Sequence, residues 1–210
     1  ANRFPIGLYN REDSPLTVTG CTLAATTGNA MFFSASVRSA VSVTDSALTS
    51  QHTTRYCIEV NGVVDVSPFS FTRSSVHCSA PGAATSGAMK YTGGAVTDSP
   101  LTISGSRFSA ASTTPGSDAI RMAGTLTNSA VTITDTVLAT RWVGLHMASG
   151  PVTNCPVVIT RVTCTSGGFG VGMYAFTDSP VTISESTISA DEVAIYYSPA
   201  AQVRSPITVV

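Results

Sequence analysis

A short alternation of apolar residues and hydroxyls returns eight times along this chain. It reads Leu16-Thr17-Val18-Thr19, Val41-Ser42-Val43-Thr44, Phe69-Ser70-Phe71-Thr72 and Leu101-Thr102-Ile103-Ser104 in the first half. Val131-Thr132-Ile133-Thr134, Val157-Val158-Ile159-Thr160, Val181-Thr182-Ile183-Ser184 and Ile207-Thr208-Val209-Val210 follow. The steps between first apolar residues are 25, 28, 32, 30, 26, 24 and 26. Seven residues after each of the first seven starts stands one apolar residue: Leu23, Leu48, Val76, Phe108, Leu138, Cys164, Ile188. A third station joins a small residue to apolar neighbours. Its copies are Gly7-Leu8-Tyr9-Asn10, Ala30-Met31-Phe32-Phe33, Cys57-Ile58-Glu59-Val60, Ala88-Met89-Lys90-Tyr91, Ala119-Ile120-Arg121-Met122, Gly144-Leu145-His146-Met147, Gly172-Met173-Tyr174-Ala175 and Ala194-Ile195-Tyr196-Tyr197.

Alternation over three to five residues, bounded by Ser, Thr, Gly and Pro, predicts short strands with one buried face. A repeat of this length cannot bury its apolar face alone and must stack on its neighbours. Three strands per repeat with no helical period predict an all-β fold: a three-sided parallel β-helix, or solenoid, of about seven to eight coils. The crossover rule makes it right-handed. One segment spanning 1–210 accounts for the whole chain. Pro before the first strand suits a position where a missing N–H costs little. Asp13, Asp98, Asn128, Asn154 and Asp178 recur three residues before it, as corner residues whose side chains bond the turn. Gly82, Gly116, Gly167 and Gly168 mark irregular connections on one edge. The chain opens within a third station and closes within a first, with no polar cap at either end. That pattern leads to the expectation of an internal piece of a longer solenoid, or of copies stacked end to end.

Composition narrows the partners. Only 11% of residues are charged and the formal net charge is -1, which argues against nucleic acid and acidic membrane surfaces. Ser and Thr make up roughly a quarter of the chain, so the polar surface rests on hydroxyls. No apolar run reaches a membrane span of roughly 20 residues. Cys21, Cys57, Cys78, Cys155 and Cys164 fit no zinc spacing and occupy apolar or small positions. Free buried thiols are the simpler reading, with one or two disulfides of undetermined pairing as the alternative. No metal or other cofactor is expected. His52 and His77 fall in polar, turn-like stretches, and Trp142 reads as a wedge in a corner.

The order Gly-apolar-x-apolar, then Ser/Asn-Pro-Val-Thr-Ile, then a turn to one apolar residue, resembles the pectin-lyase-like right-handed β-helix superfamily. The Ser/Thr/Ala/Val-rich coils also look like dispersed-gene-family cell-surface proteins of kinetoplastid protozoa. The first resemblance implies a substrate groove along the outward row of the third strand. That row reads Tyr9, Phe32, Glu59, Lys90, Arg121, His146, Tyr174, Tyr196. It holds one acid, so the paired carboxylates of glycoside hydrolysis are missing from it, and Asp118 and Asp65 show no companion motif. Three readings follow: a ladder of cross-strand neighbours, a strip for sugar or another partner, or catalysis by Lys90, Arg121 or His146.

The outward pairs Thr17/Thr19, Ser42/Thr44, Ser70/Thr72, Thr102/Ser104, Thr132/Thr134 and Thr182/Ser184 resemble the hydroxyl ranks of ice-binding proteins, although Thr is also a good exposed strand residue. The leading expectation is a non-catalytic structural or adhesive rod, extracellular or at the cell surface. Its partners would be further coils of the same chain or assembling copies. A carbohydrate-binding or polysaccharide-degrading β-helix is the alternative.

Overall fold

The computed structural model describes residues 5–51, 56–79, 86–111, 116–147, 150–198 and 203–210. Every regular element among them is a β-strand, and the strands form three parallel sheets wound into a solenoid. Sheet B stacks the first stations, from Leu16–Thr19 through Val131–Thr134 to Ile207–Val209. Sheet C stacks the second stations, from Thr22–Ala25 to Thr187–Ala190. Sheet A stacks the third, from Ile6–Leu8 to Val193–Tyr197. The single apolar residue of each second station meets its equivalents in strict register: Leu23, Leu48, Val76, Phe108, Leu138, Cys164, Ile188. Period-2 alternation turns these columns inward, so one buried core runs the length of the stack. Edge-to-face rings tie coils together within it, Phe33 to Phe69 at 5.5 Å, Phe69 to Tyr91 at 5.3 Å and Phe71 to Phe108 at 5.5 Å between centroids.

Sheet A departs from the expected pattern in two ways. It carries a short continuation on most coils, such as Leu126–Thr127, Val152–Thr153 and Phe176–Thr177. Val64, Val96, Leu126, Val152 and Phe176 thereby form a fourth buried column. Pairs of residues are too short to show a period, which hides this column in the sequence. The register is the second difference. Gly7 pairs with Phe32, and Gly172 lies between His146 and Tyr196. Glycine therefore fills the outward position in these two coils, and Tyr9 and Tyr174 lie two residues beyond the row.

The corners are built from left-handed residues and hydroxyls. Before sheet B, Asp13, Arg38, Val66, Asp98, Asn128, Asn154, Asp178 and Arg204 all have φ between 44° and 53°. Asp and Asn suit this corner because they tolerate that conformation. Asp13 and Asp178 bond an arginine of the next coil, Arg38 and Arg204, instead of the turn backbone. Asp45–Arg73 and Asp135–Arg161 repeat the pairing at the corner between sheets B and C. The residue after each corner supplies a hydroxyl that accepts the N–H of the preceding coil, as in Ser39 N to Ser67 Oγ, Ser67 N to Ser99 Oγ and Ser99 N to Ser129 Oγ. Cys155 stands in this column, and its Sγ accepts from Ser129 N at 3.2 Å. Cys21 starts the equivalent column at the other corner. These two cysteines therefore occupy hydroxyl positions, and Cys155 also belongs to the core with Cys57, Cys78 and Cys164. All five thiols are free.

Candidate functional site

Parallel register builds the outward row of sheet A one residue per coil: Phe32, Glu59, Lys90, Arg121, His146. At the start of the same strands runs a second column, Tyr56, Gly87 and Asp118, two positions before Ile58, Met89 and Ile120. Tyr56 lies across Gly87, where any Cβ would collide with the Tyr56 ring and with the Asp118 carbonyl. The missing side chain thus lets Tyr56 approach Asp118.

These columns meet in a polar cluster. Asp118 is fully buried, and its Oδ2 lies 3.2 Å from His146 Nδ1 and 3.5 Å from Arg121 Nη1. Asn29 donates from Nδ2 to the Tyr56 carbonyl at 2.7 Å and to Glu59 Oε2 at 3.0 Å. The Lys90 ammonium sits 5.4 Å from the centre of the Tyr56 ring. Burial pushes the Lys90 amine below its ordinary range, partly offset by Glu59. Burial pushes the Tyr56 hydroxyl up, and the negative charge of Asp118 adds to it. Asp118 Oδ1, Tyr56 OH, Asn29 Oδ1 and Arg121 Nε have no hydrogen-bond partner among the described residues. Such groups are costly to bury, and their concentration here sets the cluster apart from the apolar core.

An aromatic run continues from the cluster. Trp142 lies 6.1 Å from Phe169, Phe169 5.2 Å from Tyr196, Tyr196 5.1 Å from Tyr174, and Tyr174 5.8 Å from His146. All are half-buried. Gly172 leaves its outward position bare, and the Tyr174 ring folds back toward His146 over it. Tyr9 does the same beside Gly7 and meets Phe32 at 5.6 Å. Both tyrosines thus rejoin in space the row they miss in register.

Asp118 and Phe169 are absent from the row as read in the sequence. Asp118 lies three residues before Arg121, and that spacing was its only signal. Trp142 sits in the bend before Val143–Met147 with its ring against Gly168, and that ring also joins the outward aromatic run. Asp65 lies on the short continuation of sheet A, paired with Val37 and Thr97, away from this cluster. His77 lies on sheet C with Nδ1 2.9 Å from Ser109 Oγ. His52 and Gly82 fall outside the described residues. The hydroxyl pairs of sheet B stand in register, with Thr17, Ser42, Ser70, Thr102 and Thr132 forming one rank that Val158 interrupts. No family model, curated protein or solved structure matches the chain.

Proposed function

We propose that this chain is an adhesive β-helical rod that binds an extended carbohydrate along sheet A. The observation that carries this reading is the ring run Trp142–Phe169–Tyr196–Tyr174–His146 adjoining the Lys90, Arg121 and Asp118 cluster on one face. Sugar rings offer C–H faces that stack on aromatics and hydroxyls that bond charged groups, so a saccharide suits both halves of the strip. Lys90 and Arg121 favour an acidic sugar. Coils repeat every ~4.8 Å, a rise comparable to the length of one sugar ring. The superfamily resemblance supports the same face. Extracellular or cell-surface placement belongs to this proposal. Burial raises the pKa of the Cys57, Cys78, Cys155 and Cys164 thiols and so disfavours the reactive thiolate.

Calorimetry with neutral and acidic oligosaccharides tests it. Tyr196→Ala and Lys90→Ala should each weaken binding at least about tenfold, or about 1.4 kcal/mol. Equal affinity in wild type and both variants would remove the strip from the account. Product formation that depends on His146 and Asp118 would convert the binder into an enzyme. A second reading, ice binding, is favoured by the registered hydroxyl ranks of sheet B. Thermal hysteresis lost in Thr102→Tyr would support it, and no hysteresis would end it.

A further inference from the structure

Sheet C carries a separate cationic groove. Most described cations have a partner. Arg38, Arg73, Arg161 and Arg204 clamp corner aspartates, and Arg121 reaches Asp118. Lys90 lies over Tyr56 and Arg11 over Phe33. Arg107 and Arg141 have no acidic partner among the described residues. Both are exposed, and both line one shallow groove of about 470 Å³ with His77, Ser109 and Thr140. Among the described residues that line it, the groove contains no carboxylate. Ala110, Ala111 and Ala139 line it too, and these small side chains leave the hollow between the two arginines. Register sets the frame: Arg107 pairs with Ser75 and Val137, while Ser109 pairs with His77 and Ala139. The Ser109 contact occupies His77 Nδ1 and leaves Nε2 for a ligand.

We infer that this groove is an oxyanion site for a sulfate or phosphate group. Two guanidinium forks on adjacent coils present paired N–H donors that match such a group, and a hydroxyl and an imidazole stand beside them. A second, longer groove of about 680 Å³ shares Ser75 and Arg107 with the first. It runs past Ser46, Ser74 and Ser106, and its aspartates, Asp45 and Asp135, are already held by Arg73 and Arg161. A hydroxylated chain bearing the anionic group can lie there without meeting free negative charge. The inference is independent of the sheet A strip.

NMR titration following the arginine side-chain Nε–H signals tests it, with inorganic sulfate, inorganic phosphate and a sulfated disaccharide as probes and the unsulfated disaccharide as control. Arg107 and Arg141 signals should move with the anions and not with the control. Arg107→Gln and Arg141→Gln should each weaken binding at least tenfold, while Arg204→Gln, at a remote corner beside Asp178, leaves it unchanged. Tighter binding of the sulfated sugar than of sulfate identifies an ester as the ligand; equal affinity identifies the free anion. Unmoved Arg107 and Arg141 signals, or affinity retained in both glutamine variants, would overturn the inference.

Discussion

At the scale of the residue, the corners hold the coils in step. Each hydroxyl in the Ser39, Ser67, Ser99, Ser129 column accepts an N–H from the coil before and donates to a carbonyl of its own turn, as Ser99 does to Thr97 at 2.7 Å. Ser99→Ala would strand the buried Ser67 N–H, at a cost of about 1–2 kcal/mol in denaturant unfolding. An unchanged midpoint would show that the column contributes nothing. The corner ion pairs give a pH signature. Hydrogen bonds from arginine hold Asp13, Asp45, Asp135 and Asp178 below the ordinary aspartate value of 3.8. Their stabilisation is complete above that value and is lost as pH falls through the depressed range, because the unfolded chain takes up protons first. These pairs are solvent-exposed, so the loss should be shallow and should shrink in high salt. Thermal melts between pH 5 and pH 2 at two salt concentrations measure it; a salt-independent acid limb would contradict the assignment.

At the scale of the element, legibility depended on what each strand must bury. The sheet B and sheet C columns were readable because one face of each is core, and a slip of one residue would turn Leu101 and Ile103 to solvent. Sheet A is ambiguous in sequence where Gly7 and Gly172 stand outward, since a two-residue slip keeps the alternation. The site was legible in part. Glu59, Lys90, Arg121 and His146 follow from strand parity, but Asp118 and Tyr56 sit where strand meets turn and parity fails. Gly87 governs that junction. Gly87→Ala should drive Tyr56 off the strand start, lower stability by more than about 1 kcal/mol and weaken saccharide binding. If the variant kept native stability and affinity, Tyr56 would have no part in the site.

At the scale of the molecule, the three sheets act as parallel rulers, each adding one residue per column per coil. Core, corner ladders, sheet A strip and sheet C groove all follow from that constant rise. Burial of the thiols is one consequence: a thiol reagent should modify exposed Cys21 in the native protein and reach Cys57, Cys78, Cys155 and Cys164 only after unfolding. Fast labelling of several thiols in native buffer would show an opened core. The rise itself is the central claim, and spin-label distances read it directly. Thr17, Thr132 and Thr182 occupy one rank of sheet B, with Thr132 and Thr182 separated by the coil of Val158. The account predicts about 19 Å from Thr17 to Thr132 and about 29 Å from Thr17 to Thr182, a difference of about 10 Å for two coils. Equal distances, or a difference far from two coil spacings, would contradict it.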